Sequence, residues 1–324
     1  MQRNLLRPFT LLITLLLGAA TAAAAATGSF DRTLKVAGAV DLEVSTGSGT
    51  ITVRTGDAST VRVHATIHAG FDLFGPDPEQ KVRRIEANPP VEQVGNIIKI
   101  GRVDDPALRR NLSIDYDLVV PAETRLSAKN GSGDVTAVGV RGPAQVSTGS
   151  GRLTLRDIGG EVRASTGSGD VELDGIGGPV RASTGSGRIR ALRIGGAFDG
   201  STGSGDIRVE QTAAGKVRVD TGSGTVELVN ARGMVSVSTG SGDVRAQGEP
   251  VGDWRVETGS GSVRVELASA AGFDLDARSS SGRVSVDRPI TLQGTVKRSE
   301  MRGKVGAGGH LVTVRTGSGD ITVR

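Results

Sequence analysis

Residues 165–182 read STGSGDVELDGIGGPVRA, and this stretch decides the fold. Apolar and other residues alternate in two short runs, Val171–Leu173 and Val180–Ala182, and this alternation is typical of strands with one buried face. Glycine-rich corners lie at 166–169 and 175–178, where glycine permits the positive φ angles of a tight chain reversal. The stretch therefore predicts two short strands joined by compact corners.

The same pattern returns along the chain at an almost constant spacing. A weaker copy has Ser280 in the first glycine position, a clean copy follows at Gly317, and an early copy stands at Gly47. A fixed period of this length predicts an all-β fold, a β-solenoid (β-helix) with coils of about 18 residues, and the absence of a six-residue period favours a right-handed winding. The first glycines of the regular copies are Gly131, Gly149, Gly167, Gly185, Gly203, Gly222, Gly240 and Gly259.

A single coil cannot fold alone. Its roughly five apolar side chains contribute about 1.5–3 kcal/mol each when fully buried. Ordering the backbone of one residue costs roughly 1–2 kcal/mol, and a coil has about 18 residues. Stacked coils overcome this cost because each neighbour supplies hydrogen bonds and covers apolar edges. The chain has no cysteine for disulfide bonds, so about ten stacked coils, in a rod about 50 Å long, must supply the stability.

Three segments differ in composition. Residues 1–26 combine Arg3 and Arg7 with an apolar run and an alanine-rich end, which predicts a secretory signal peptide. Residues 27–126 hold strand-like runs at irregular spacing and predict a β-rich cap or degenerate coils, whereas residues 127–324 predict the regular solenoid. We therefore expect an exported protein, in the periplasm, at the cell surface or secreted, without a transmembrane segment in its mature chain.

Two stretches resemble a known bacterial family. They are the lead-in YDLVVP at 116–121 and LSAKNGSGDV at 126–135, which the repeated Thr-Gly-Ser-Gly-Asp-Val/Ile units continue. Over most of the mature chain the sequence resembles the exported bacterial "putative adhesin" domain family. The resemblance implies a β-helix-like fold and a location outside the cytoplasm, and it carries over no catalytic residue and no cofactor.

The residue that follows each corner alternates in charge over five coils. If the coils stack, each aspartate has an arginine above or below it, which predicts a structural charge ladder that fixes the register between coils. Exposed pairs of this kind contribute roughly 0.2–1 kcal/mol each. The five positions are Asp134, Arg152, Asp170, Arg188 and Asp206.

Arginines also recur at outward strand positions and form two rows. We consider two interpretations: weak attraction of an anionic surface polysaccharide, and an ordinary solvated face. Nucleic acid is not expected, because the net charge of +4 falls to +2 without the leader and aromatic residues make up only 2%. One row comprises Arg163, Arg181, Arg218 and Arg255, and the other Arg190, Arg208, Arg245 and Arg264.

Two repeat-based ligand sites deserve comparison with structural interpretations. The Gly-Ser-Gly-Asp unit is similar to calcium-binding repeats, but arginine replaces the aspartate at 152, 188 and 283, and calcium needs a carboxylate in each half-turn. A regular threonine column suggests an ice-binding array, but its parity places it on the inward face with Val162 and Ala164. The column comprises Thr148, Thr166, Thr184, Thr202, Thr221, Thr239 and Thr258.

A carbohydrate-processing β-helix enzyme, a polysaccharide lyase or hydrolase, is a further alternative. Such enzymes need clustered carboxylates in a groove, whereas the corners here are short and uniform. The histidines at 64, 68 and 310 do not have the spacing of a metal site. We therefore predict a non-catalytic scaffold or interaction module of the cell envelope, with no catalytic residue, metal or cofactor.

The last motif copy predicts a further contact. Residues 316–323 repeat the corner and strand pattern, and a regular last coil would leave one edge uncovered. We expect end-to-end self-association through this coil, or another envelope protein bound to it, unless residues 289–310 fold back as a cap.

Overall fold

The computed structural model describes residues 25–72, 76–101, 103, 105–293 and 297–324. In this part, the strands form a 14-stranded sheet, here called sheet A, and a 15-stranded sheet, called sheet B. The predicted signal peptide lies outside the described residues except for 25 and 26, and the first strand begins at Ala26. No described helix is long and apolar enough to cross a membrane.

The described elements follow one another along the chain with short connections. They are β1 (Ala26–Lys35), β2 (Val40–Ser48), β3 (Ile51–Thr55), β4 (Thr60–Ala69), α1 (Pro78–Ala87), β5 (Val91–Val94), β6 (Ile97–Ile100), α2 (Pro106–Arg109), β7 (Leu112–Val120), β8 (Thr124–Ser132), β9 (Val135–Val138), β10 (Ala144–Thr148), β11 (Leu153–Ile158), β12 (Val162–Thr166), β13 (Val171–Ile176), β14 (Val180–Thr184), β15 (Ile189–Ile194), β16 (Phe198–Ser204), β17 (Ile207–Gln211), β18 (Val217–Ser223), β19 (Val226–Arg232), β20 (Val235–Ser241), β21 (Val244–Glu249), β22 (Trp254–Ser260), β23 (Val263–Leu267), β24 (Phe273–Ser281), β25 (Val284–Val286), β26 (Ile290–Leu292), β27 (Glu300–Val305), β28 (His310–Ser318) and β29 (Ile321–Val323).

The repeat builds a two-sheet β-solenoid. Each coil adds one strand to sheet B, turns through the Thr-Gly-Ser-Gly corner, and adds one strand to sheet A. Equivalent strands pair in parallel and in register, as Val162 does with Val180 in sheet B and Val171 with Ile189 in sheet A. The predicted β-solenoid with two strands per coil is therefore confirmed, and from β8/β9 onward ten coils stack. The right-handed winding stays a prediction.

The core consists of apolar columns that run along the stack between the two sheets. The alternation in each strand turns every second side chain inward. The largest of these side chains, Trp254 and Phe198, are almost fully buried. The sheet A columns contain Val135, Leu153, Val171, Ile189, Ile207, Val226, Val244 and Val263, then Ala137, Leu155, Leu173, Ala191, Val209, Leu228, Ala246 and Val265, all buried as predicted.

The Thr-Gly-Ser-Gly corners require glycine because neighbouring coils approach closely there. A Cβ atom on Gly169 would lie 1.8 Å from the carbonyl oxygen of Gly151, and one on Gly167 would lie 2.4 Å from that of Gly149. At the second corner Gly175 has φ of 71°, and Asp157, at the same position one coil earlier, has φ of 53°. The second glycine of the first corner also has positive φ in several coils, as at Gly133 (133°) and Gly261 (148°), so the predicted role of glycine is confirmed at both corners.

The solenoid begins earlier in the chain than residue 127, where the sequence predicted the first regular coil. Strands β2 and β3 stack in register on β8 and β9, so the early motif copy at Gly47 belongs to the solenoid. Antiparallel strands β1 and β4, with β7, extend sheet A beyond this coil, and the β5–β6 hairpin ends sheet B.

Helix α1 was not expected, because no stretch of the sequence has clear helical periodicity. Its buried Val82 and Ile85 are three residues apart, on the face that contacts β1 and β4. Pro78 occupies the first turn, where its missing N–H is not needed. Gly28 of β1 permits the close approach, because a Cβ there would lie 2.2 Å from Val82 Cγ1. The helix therefore covers β1, the outermost strand of sheet A at this end.

Tyr116 provides a test of how well this end of the core excludes water. It is the only tyrosine in the chain, it is buried at 1% exposure, and burial raises its pKa well above the usual value of 10. Below pH 10 the phenol is neutral in both the folded and the unfolded chain, so Tyr116 leaves the free energy of unfolding unchanged with pH. Above pH 10 this free energy falls, because the phenol can ionise in the unfolded chain but not in the folded one. We expect no tyrosinate absorbance until the protein unfolds in alkali.

An alkaline absorbance titration with parallel circular dichroism checks this expectation. The urea-unfolded chain is the control and titrates near its ordinary pKa of about 10. A Tyr116→Phe variant should lose less stability than the parent chain above this pH. Ordinary titration of Tyr116 in a chain that keeps its β signal would show that water reaches the phenol.

The last coil in the sequence is not the last coil in space. Strands β28 and β29 lie between the coil of β22 and β23 and the coil of β24 and β25, and they pair in parallel with both. Strand β27 pairs antiparallel with β24, and β26 pairs antiparallel with β27, so these two strands cap sheet B at this end. The predicted open edge at 316–323 is therefore wrong, because β24 and β25 cover it, whereas end-to-end self-association stays a prediction.

Candidate polymer-binding face

The arginine row on sheet B is compensated by acids. Each of its four arginines is exposed, and each has a carboxylate oxygen within 3.0 Å of a guanidinium nitrogen. Asp220 raises the pKa of Arg218 by accepting a hydrogen bond from its guanidinium. The pairs are Arg163–Glu161, Arg181–Asp199, Arg218–Asp220 and Arg255–Glu257. This face therefore offers little free positive charge to a ligand.

The arginine row on sheet A forms an ion pair at only one place among the described residues. Arg208 pairs with Glu227 in the next coil. Arg190, Arg245 and Arg264 are exposed, and in the part of the chain that the structure describes they form no ion pair. The two rows lie on different sheets, so the structure does not bring the eight arginines together on one surface.

Arg245 and Arg264 form the most continuous part of the sheet A row. They are direct register neighbours on β21 and β23, so their Cα atoms are about one strand spacing apart, roughly 4.8 Å. A shallow groove of about 270 Å³ runs beside them and is also lined by Ser262 and Thr322. Two guanidinium groups at this spacing, with hydroxyls nearby, can bind carboxylate or sulfate groups along a chain.

Aspartates border this groove but their carboxylates already accept backbone hydrogen bonds. Asp243 Oδ1 accepts from the Ser262 N–H at 2.9 Å, and Asp320 Oδ1 accepts from the Arg283 N–H at 2.8 Å. Both aspartates occupy the position that directly follows a corner, two residues before the outward side chain of the strand. The acids therefore lie at the margin of the groove, whereas the arginines occupy its outward strand positions.

The predicted charge ladder joins the coils through different atoms. Asp134 Oδ1 accepts a hydrogen bond from the backbone N–H of Arg152 at 2.8 Å, and Asp170 does the same with Arg188 at 2.9 Å. Asp206 continues the series onto Thr225. Each aspartate contacts the coil that the prediction gave. Its short side chain, however, reaches the backbone N–H of the next coil rather than the guanidinium of the arginine there. The Arg152 side chain instead lies 3.9 Å from Glu172.

The threonine column does not form an exposed array. Thr166 is buried, donates to the Gly151 carbonyl at 3.0 Å and accepts from the Gly169 N–H at 3.1 Å. Equivalent donations to corner carbonyls are made by Thr148, Thr184, Thr202, Thr221 and Thr258. The hydroxyls stabilise the corners, so this column cannot present an ice-binding surface.

No metal-binding cluster occurs among the described residues. No group of three or more histidine, aspartate or glutamate side chains there is placed to hold an ion. His64 contacts Asp31 at 2.8 Å, His68 contacts Asp115 at 3.1 Å, and His310 lies 3.7 Å from Asp253. Each histidine in these pairs contacts a single carboxylate, which is fewer ligands than a metal site requires.

The difference between the two arginine rows was missed in the sequence, although a signal for it exists. Residues i and i+2 on a strand share a face. Glu161, Asp220 and Glu257 each stand two residues from an arginine of the sheet B row. On sheet A, however, Asp243 stands at the same distance from Arg245, and Glu266 from Arg264. This spacing predicts most of the compensation on sheet B but not the absence of ion pairs at Arg245 and Arg264.

The described residues thus define a two-sheet parallel β-solenoid with a capped stack and one partly uncompensated arginine row. The family model Toastrack DUF4097 matches residues 109–324, and the chain belongs to this family. No curated protein matches the chain.

Two solved structures are similar over most of their length. One is a "putative cell adhesion protein" from Clostridium sporogenes, with 11% identity, a TM-score of 0.21, and coverage of 92% of this chain and 99% of the other. The second is a "putative adhesin" from Bacteroides fragilis, with 10% identity, a TM-score of 0.27, and coverage of 92% and 97%.

Proposed function

We propose that this protein is an exported, non-catalytic, adhesin-like module of the bacterial cell envelope that binds acidic polysaccharide along sheet A. The observation that carries the proposal is the row of exposed arginines without ion pairs, Arg190, Arg245 and Arg264. The leader-like residues 1–26 support export. The strand-on-strand stack gives a rigid support for such a row.

The solenoid suits a polymer ligand for geometric reasons. Its outward side chains repeat once per coil, about every 4.8 Å along the stack, so an extended chain meets equivalent positions without bending. Exposed guanidinium groups attract carboxylates weakly and over a range of about 8–10 Å at physiological salt. Affinity then comes from several weak contacts along one polymer, as multivalent binding requires.

A charge-removal experiment tests this face. We expect the Arg245→Gln/Arg264→Gln variant to bind polygalacturonate about tenfold more weakly than the parent chain, equivalent to about 1.4 kcal/mol. Its binding should also depend less on salt, because two screened contacts are gone. Biosensor titrations at several salt concentrations measure both effects, with neutral dextran as the polymer control.

The chain offers a matched control on the opposite sheet. The Arg218→Gln/Arg255→Gln variant removes the same number of charges, but from arginines that already pair with Asp220 and Glu257. We expect its affinity to remain within about twofold of the parent. Equal losses in the two double variants would show that only net charge matters and would contradict a binding face on sheet A.

A further inference from the structure

The coil formed by β28 and β29 occupies a slot. On its two sides lie strands that precede it in the chain, β22 with β23 and β24 with β25. The registers agree, because Val312 pairs with Trp254 on one side and with Leu275 on the other. Both walls of the slot are therefore formed by strands that precede residues 310–324 in the chain.

The inserted coil makes full contacts with both walls. Val312, Val314, Ile321 and Val323 are completely buried. The Thr316 hydroxyl donates to Gly261 in one wall at 2.9 Å. In the other wall, Ser279 Oγ donates to Gly319 O at 2.8 Å, and the Arg283 N–H to Asp320 Oδ1 at 2.8 Å. All these contacts are non-covalent.

A short glycine-rich connection links the inserted coil to the cap. Strand β27 ends at Val305 and β28 begins at His310, so residues 306–309, Gly-Ala-Gly-Gly, make the turn. Gly306 has φ of 61° and Gly308 has φ of 77°, values that glycine adopts readily. Glycine adopts extended angles equally well, so this connection can open into a hinge without steric cost.

We propose that residues 310–324 exchange between two copies of this chain, so that each copy fills the slot of the other. A second copy is the fitting partner because its segment makes every buried contact and hydrogen bond described above. The exchanged dimer differs from the closed monomer in two ways only: residues 306–309 are extended, and two chains that were free to move separately are joined.

Cysteine pairs across the slot test the exchange directly. Arg255 and Thr313 are outward-facing register neighbours on β22 and β28, at a Cα spacing of roughly 5 Å that a disulfide can bridge. The chain has no cysteine of its own. An Arg255→Cys chain is mixed at high concentration with a Thr313→Cys chain, incubated, diluted and oxidised. A segment of one chain in the slot of the other brings the two cysteines together, so that oxidation links the two chains by a disulfide.

A mixture of Ser236→Cys and Arg255→Cys chains is the matched control. These positions are equally close neighbours, on β20 and β22, but both belong to the body of the solenoid. We expect at least severalfold more mixed disulfide in the first mixture than in this control. Equal yields in the two mixtures, or no mixed disulfide in either, would overturn the proposal.

A hinge variant gives a second measurement. A Cβ on Gly308 would lie 2.8 Å from Asp274 Oδ1, at a φ unfavourable for other residues, so Gly308→Val should strain the closed turn and raise the dimer fraction severalfold. Gly38→Val is the control, because its φ is 87° but a Cβ there meets nothing within 4 Å. Emission of Trp254, the only tryptophan, reports that the slot is filled. A folded Gly308→Val chain that stays as monomeric as the control in sedimentation would overturn the proposal.

Discussion

Replacing Gly167 by alanine is expected to destabilise the protein by about 3 kcal/mol, whereas the same change at Gly47 should leave stability almost unchanged. Both residues are the first glycine of the corner motif. A Cβ on Gly167 would lie 2.4 Å from the carbonyl oxygen of Gly149, but one on Gly47 meets no atom within 4 Å. The clash also displaces the Gly167 N–H from its hydrogen bond to Gly149, now 3.0 Å long.

Comparing Gly167→Ala with Gly47→Ala separates the effect of close coil stacking from the effect of the local backbone conformation. Neither glycine has φ in the left-handed region, so alanine is compatible with the backbone at both positions. Urea unfolding followed by circular dichroism gives the two free energies of unfolding. Equal destabilisation by the two substitutions would mean that the motif needs glycine for its own turn and that close coil stacking is not the reason.

Phe198 and Gly200 are expected to show a large energetic coupling. The Phe198 ring occupies the space that a side chain at 200 would take, since a Cβ on Gly200 would lie 2.5 Å from Phe198 Cε1. Phe198→Ala should destabilise by about 3–5 kcal/mol through the cavity it leaves. Gly200→Ala should cost about 1–3 kcal/mol through overpacking.

The combined change should restore much of the loss. In the preceding coil the equivalent positions are Val180 and Ala182. The Phe198→Val/Gly200→Ala chain repeats that pair, and we expect it to be more stable than the sum of Phe198→Val and Gly200→Ala predicts, by at least about 1 kcal/mol. A double-mutant cycle by urea unfolding measures this coupling. Strictly additive free energies would contradict the packing of the ring over residue 200.

The apolar columns could be predicted from the sequence, because apolar residues alternate with polar ones within each strand and return at a constant spacing from coil to coil. Val171 and Leu173 face inward for the same reason as their equivalents in every coil. The insertion of β28 and β29 could not be predicted in this way. All coils have similar edges, so the motif at Gly317 fits beside Gly259 as well as beside Ser280. The order in space depends on the paths of the connections, which the repeat does not encode.

The structure differs from the sequence-based prediction at two other places, and each difference has a local physical cause. Helix α1 lies in a stretch without glycine, between Asp77 and Ala87, and the high glycine content of the whole chain hides it. The aspartates after the corners bind backbone N–H groups, because a short side chain at a corner reaches the next coil's backbone before it reaches a guanidinium. Side-chain chemistry alone predicts the register of these contacts but not the donor atom.

Arginine side-chain NMR during titration with polygalacturonate tests the proposed binding face on sheet A most directly. We expect the Nε–Hε signals of the sheet A arginines, Arg190, Arg245 and Arg264, to shift as polymer is added. Those of Arg218 and Arg255 on sheet B should stay in place. Shifts confined to the sheet B arginines, or to the corner amides such as that of Gly167, would contradict polymer binding along sheet A.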